Sequence, residues 1–293
     1  MQAFKNKGDR LRIKKDRIFY GFVIFFALLT VSPLILIVFK LVREGIGQIN
    51  FDFFTQNQPN TFQAMVAIKN GETIPGGIAN GIVGTLLMVV LASVMAIPVG
   101  VLTGVYLSEN QNSRFASMVG SISDVLQGVP SIVLGVISYL WIVKHVTNGY
   151  SALAGSTSLA IMMLPLIVRS TEETLKMIPV SYKEAAFALG VPYHRVILKV
   201  LLPSSLSGLL TGILLSLSRI LGETAPLMLT ALGSSMINLD ITQPTSAVPL
   251  LIWEFYNNPN MVSLIWSSSL FLMGLVLFFN IIAKRMAKKW KIQ

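Results

Sequence analysis

Residues 18–39 read IFYGFVIFFALLTVSPLILIVF, 22 consecutive residues with no charged side chain. A helix of about 20 apolar residues spans a bilayer core, because lipid offers no partners to backbone N–H and C=O groups and a helix satisfies them internally. No small-residue cleavage pattern follows Phe39, so the run reads as a retained span rather than a signal peptide. Five more runs follow: about 79–107; 115–143, interrupted by Asp124 and Pro130; 151–168; 206–232, which carries Arg219 and Glu223; and 261–283. Six such runs predict an all-α membrane protein whose spanning domain covers 18–283.

Composition agrees. Charged residues make up 12% of the 293, where a soluble domain carries roughly 25%, and the mean hydropathy is +0.69. Most of this surface would not face water, which excludes a soluble enzyme. The net charge of +10 would suggest nucleic acid if it were spread over the chain, but it is not. Residues 1–17 carry seven basic against two acidic side chains, and 284–293 carry five basic ones, so 18–283 is left neutral with eleven of each sign. The charge therefore reads as two basic tails beside membrane lipid, with no nucleic acid partner. There is no Cys and only two His, His145 and His194, far apart in sequence. Disulfides, thiolate chemistry and a metal centre are not expected.

Six spans put both tails on one side, and the excess of Lys and Arg on short inner loops orients them. With the tails in the cytoplasm of a bacterial cell, that side receives 18 basic residues against four outside, with Arg219 within the membrane. The segments 40–78 and 233–260 then face outward. Rich in Asn, Gln and Pro, they read equally as solvated connections or as a docking surface for an external partner. Gly pairs at 77/81, 100/104 and 208/212 have the spacing that lets membrane helices approach closely.

The inner segment 169–203 is more informative. Ser181-Tyr182-Lys183-Glu184 has the form of a capping box, good helix formers continue to Leu189, Gly190 supplies a left-handed stop, and Pro192 can open a second helix that Pro203 would end. On geometry alone, such a helix-turn-helix equally fits lipid headgroups. The spacing adds more: Glu184-Ala185-Ala186, three residues, Gly190, nine residues, Val200, one residue, Leu202-Pro203. It resembles the EAA loop of ABC importer permeases, Glu-Ala-Ala, Gly, then Ile-x-Leu-Pro, with Val200 as the one departure. The resemblance implies the type I importer permease fold and a coupling helix seated on an ATPase subunit. Ala185, Ala186 and Gly190 would allow close approach and Phe187 would anchor it. No Gly-Lys dipeptide occurs, so the chain has no P-loop. By this reading the chain is no enzyme and binds no cofactor of its own, and ATP and Mg belong to the partner.

An ionisable group at the bilayer centre costs roughly 2.5–3.5 kcal/mol, so Asp124, Arg219 and Glu223 each ask for a reason. Arg219 and Glu223 are four apart on one expected helix, hence on one face and able to pair, which would suffice to pack a bundle. Yet Gly222 and Pro226 flank Glu223, and proline withholds an amide from the helix, so the span is expected to be distorted there, as at Pro130. Open backbone at membrane depth lines protein or a wet cavity, and an arginine fork beside it suits an oxyanion, with Glu223 keeping the binding weak.

Arg219-Ile220-Leu221-Gly222-Glu223-Thr224-Ala225-Pro226-Leu227 looks like the Arg-x-Leu-Gly-Glu-Thr-Ala-Pro-Leu segment of phosphate importer permeases of the PstA type. Residues 123–132, SDVLQGVPSI, resemble that family's third span. The resemblance implies inorganic phosphate as substrate, with Arg219 and Glu223 on the path and Asp124 a weaker candidate. It implies as partners a sister permease of the PstC type, a homodimeric ATP-binding subunit and an external phosphate-binding protein. Two rivals stay open on the residues alone: a permease for another oxyanion such as sulfate, and a proton-coupled secondary transporter in which Asp124 and Glu223 titrate. A membrane-embedded enzyme would need a catalytic constellation, and the sequence offers none.

Overall fold

A computed structural model describes residues 7–289. Residues 1–6 and 290–293 of the two basic tails lie outside the described residues. The helices are α1 (Lys7–Gly45), α2 (Phe51–Thr55), α3 (Thr61–Asn70), α4 (Ala79–Glu109), α5 (Arg114–Gly128), α6 (Ser131–Ser138), α7 (Ala152–Lys176), α8 (Val180–Ala188), α9 (Tyr193–Val196), α10 (Leu202–Ile220), α11 (Ala225–Thr230), α12 (Val248–Tyr256) and α13 (Val262–Lys289). Five helical stretches are each long and apolar enough to cross a membrane, and the bent pair α5–α6 makes a sixth.

The centre of the bundle is α7, packed between α4 and α10. Small residues permit this: a Cβ at Gly104 would lie 2.5 Å from Thr171 Cβ and 2.7 Å from the Val168 carbonyl oxygen, so only glycine lets α4 and α7 come this close. Met88, Ala92 and Ala96 of α4 meet Leu159, Met163 and Ile167 of α7 and Ile220 and Leu221 at the end of α10 in one buried cluster. By contrast α1 has its apolar stretch exposed from Ile18 to Phe39, apart from partial cover at Val38. It touches the bundle near its C-terminal end, where Ser267 Oγ of α13 donates to the Gly45 carbonyl at 2.7 Å.

Several bounds differ from the sequence-based expectation, each for a local reason. The 115–143 run does not continue straight: α5 and α6 meet at 106°. Pro130 biases Val129 toward extended backbone, observed at φ −70°, ψ 130°, and the first helix ends there. The 151–168 run extends to Lys176, because Glu172 is paired within the helix to Arg169 and Lys176 and costs it little. Pro203 does not end the second loop helix. A five-residue π-helical stretch, Ile197–Leu201, joins α9 to α10 and takes up the ring's demand for space against the preceding turn. The Ser181 capping box is not formed either: the cap falls two residues earlier, at Pro179, which places Ser181 inside the first turn with no capping bond from its side chain.

At the end of the bundle away from α8, the two long connecting segments come together. Gln58 Nε2 donates to Ser235 Oγ and Glu254 Oε1, each at 3.0 Å, and Asn80 Nδ2 donates to the Ser234 carbonyl at 2.8 Å. Phe53 and Phe255 are fully buried between the segments with Ile78, Leu251 and Leu264. The first amides of α7, which have no partner within the helix, donate to the carbonyls of Gln243 and Ile241. The connections therefore form a folded cap rather than loose tethers.

Candidate functional site

The 206–232 run breaks where sequence reading expects. Gly222 favours the helix poorly, and a ring at Pro226 would collide with the Gly222 carbonyl if the helix continued. The helix closes with tightened turns, Gly222 N–H to the Arg219 carbonyl at 3.3 Å and Glu223 N–H to the Ile220 carbonyl at 3.2 Å. α11 then restarts with Pro226 in its first turn. Arg219 thus occupies the last turn of α10, where the helix dipole favours a cation. Glu223 lies in the break itself, so the two are not on one helix as the four-residue spacing suggests. They still face each other, Arg219 Nε to Glu223 Oε1 at 4.0 Å, with the arginine side chain 43% exposed and the glutamate 20%.

The helix after the second break, at Pro130, is brought to the helix after the first. Helix α6 packs on α11, and a Cβ at Gly135 would lie 2.7 Å from Pro226 Cα. The helix that follows Pro130 therefore packs on the first turn of the helix that holds Pro226, through a glycine that no sequence feature marked out. Next to α11, a cavity of about 340 Å³ is lined by Met228, Leu232, Gln58, Trp253 and Glu254.

Asp124 belongs elsewhere. Arg169 of α7 donates from Nε to Asp124 Oδ1 at 2.8 Å and from Nη2 to Asp124 Oδ2, from Nη2 to the Gly120 carbonyl at 3.2 Å, and from Nη1 to Glu172 Oε2 at 2.6 Å. Lys176 Nζ takes the other oxygen of Glu172 at 2.7 Å. Both oxygens of Asp124 are occupied, and the structure joins it to Arg169 rather than to Arg219 and Glu223. Sequence reading counted Arg169 as an inner-loop cation; the extra two turns of α7 turned it toward α5.

In the 177–192 segment, Gly190 adopts φ +70° and closes α8 in a Schellman motif, with the Gly190 amide donating to the Phe187 carbonyl at 2.9 Å and the Val191 amide to the Ala186 carbonyl at 3.2 Å. Of the five residues singled out in sequence, Glu184, Ala185, Phe187 and Gly190 are exposed. Ala186 is buried against Leu175, Val196 and Leu201. The outward face of α8 is thus free while the inward face fixes it to the bundle. From Tyr193 the chain is helical without interruption to Ile220, one residue past Arg219.

Residues 96–292 match the family described as "Binding-protein-dependent transport system inner membrane component". The chain belongs to this family. The family's description places its members in the inner membrane, in keeping with the apolar helices. The permease is 36% identical over 290 residues to the phosphate transport system permease protein PstA of Yersinia pestis, covering 98% of this chain and 95% of that one. It is 35% identical over 258 residues to the PstA of Mycobacterium leprae (strain TN), covering 87% and 82%. In fold it is similar to an inward-facing MetNI methionine ABC transporter structure, with a TM-score of 0.62 and 22% identity, covering 72% of this chain and 95% of that one. The permease thus has the all-α ABC importer permease fold.

Proposed function

We propose that this permease is the phosphate-translocating subunit of an ATP-driven importer, and that Arg219 and Glu223 hold the anion in passage at the break between α10 and α11. The observation that carries the reading is the state of the Arg219 guanidinium. Its one ion pair among the described residues is a 4.0 Å contact to Glu223, beyond hydrogen-bonding reach. Its planar donors remain available to an oxyanion, and Glu223 keeps the total charge at the site near zero, so the anion is held briefly and released. The exposed side of this break would be completed by a sister permease of the PstC type. The names carried by the relatives support phosphate as the anion.

The exposed face of α8 is assigned to the groove of a homodimeric ATP-binding subunit, which holds the ATP and Mg. The folded cap of 46–78 and 231–261 is assigned to an external phosphate-binding protein, with both termini in the cytoplasm. Movement of α8 reaches Arg219 along one helical path, from Tyr193 to Ile220. The test is the complete complex in proteoliposomes, comparing phosphate with sulfate. Phosphate-loaded binding protein should stimulate ATP hydrolysis and uptake, sulfate should do neither, and Arg219→Gln should abolish uptake without loss of assembly. Equal stimulation by sulfate, or full uptake by Arg219→Gln, would overturn the assignment.

A further inference from the structure

Glu109, the last residue of α4, has a side chain only 9% exposed. Lys183 Nζ of α8 donates to its Oε1 at 2.5 Å, and the Tyr193 hydroxyl, at the start of α9, donates to its Oε2 at 3.0 Å. The rings of Phe187 and Tyr193 stack above this point, with centroids 6.4 Å apart and planes inclined by 12°. One carboxylate therefore receives a donor from each helix of the loop, and it sits on a helix that neither loop helix continues into. α4 in turn runs along α7 at glycine distance.

We propose that Glu109 is a positioning residue that fastens both helices of the EAA loop to the end of α4, so that displacement of the loop enters the bundle through α4 as well as through α10. The proposal rests on the reading of α8 as the ATPase lever. Along α10 alone, a push at Tyr193 has to pass the π-helical stretch at Ile197–Leu201, where the regular i→i+4 ladder of the helix is interrupted. The Glu109 clamp bypasses that stretch. With it closed, α8, α9 and the end of α4 move as one body, and α7 is pushed from the α4 side while it is pulled by α10. A charged hydrogen bond from Lys183 to a carboxylate that is 9% exposed, with the Tyr193 hydroxyl on its other oxygen, is strong enough to hold such a joint through a working cycle.

The test uses the complete complex in proteoliposomes and reads phosphate taken up per ATP hydrolysed. Glu109→Gln should leave the ATPase subunit bound on co-purification and hydrolysis still stimulated by binding protein, while uptake per ATP falls about tenfold. Reversing the pair, Glu109→Lys with Lys183→Glu, should bring the ratio back to within about threefold of the parent. Tyr193→Phe, which removes one hydroxyl and no charge, should lower it about threefold and serves if Glu109→Gln does not fold. An unchanged ratio in Glu109→Gln or Tyr193→Phe, or a reversed pair no better than Glu109→Gln, overturns the clamp. Loss of the ATPase subunit from Glu109→Gln also overturns it, since Glu109 would then act in assembly. Gly190→Pro with Glu184→Arg tests the lever separately. If that pair keeps the ATPase bound and uptake coupled, the lever reading fails; if it releases the ATPase while Glu109→Gln changes nothing, only the clamp fails.

Discussion

Two arginines of this permease occupy helices that pack side by side and live in opposite conditions. Arg169, on α7, spends its guanidinium on Asp124, Glu172 and the Gly120 carbonyl. Arg219, at the end of α10, has one loose contact at 4.0 Å to Glu223. A saturated guanidinium joins helices, and here it ties the α5 arm of the bent pair to the central helix. A guanidinium with open donors is able to take a ligand and let it go. By sequence alone the two look alike, since each has an acidic residue three or four positions on. What separates them is whether a second element supplies an acceptor.

The contrast is sharpest if each arginine is replaced by glutamine and both transport and stability are read. Arg219→Gln is expected to lower phosphate uptake about a hundredfold or more with the melting temperature of the purified complex little changed. Arg169→Gln should do the reverse in kind. It leaves Asp124 without its partner and Glu172, 9% exposed, with Lys176 alone, so melting should fall by about 4 °C or more while folded complex still transports. Stable but inactive Arg169→Gln would show that the cluster belongs to the path, and the distinction would collapse. Next in size is Gly135→Val, which forces side-chain atoms against the backbone of Pro226. Overpacking costs about 1–3 kcal/mol, and since it pries α6 from the helix that follows the break, uptake and melting temperature should fall together. Normal values of both would mean that the two breaks are not mechanically joined. The smallest effect is assigned to Asp124→Asn. Its side chain is 57% exposed, solvent screens the pair, and the melting shift should be about a degree, with uptake unchanged. A large loss of uptake there would return Asp124 to the transport path.

Much of this was legible in residues 18–39, 206–232 and 184–203. Charge-free runs predicted where spanning helices form, Gly222 and Pro226 marked the break, and Gly190 adopts the left-handed turn that its place after Ala188 and Leu189 suggests. The readings that failed were those that took a local signal as sufficient. Ser181 and Glu184 have the capping spacing, but Pro179 opens the helix first. Pro203 is a helix stop in isolation, yet the π-helical stretch before it absorbs the ring. Asp124 is the weaker candidate in sequence beside Arg219 and Glu223, and its partner, 45 residues away on α7, leaves no local signal.

The sequence by itself determined that this is a six-run, all-α membrane chain with a distorted charged segment and an EAA-type loop. Span length against bilayer thickness, proline's missing amide and glycine's open backbone act within a few residues. Only the tertiary structure decided the 106° turn between α5 and α6, the packing of α6 on Pro226 of α11 at Gly135, the choice of Arg169 as partner for Asp124, and the fastening of the loop to Glu109. Each of these depends on which acceptor or surface a distant helix presents, and in an apolar environment a charged side chain takes whatever partner packing brings within reach.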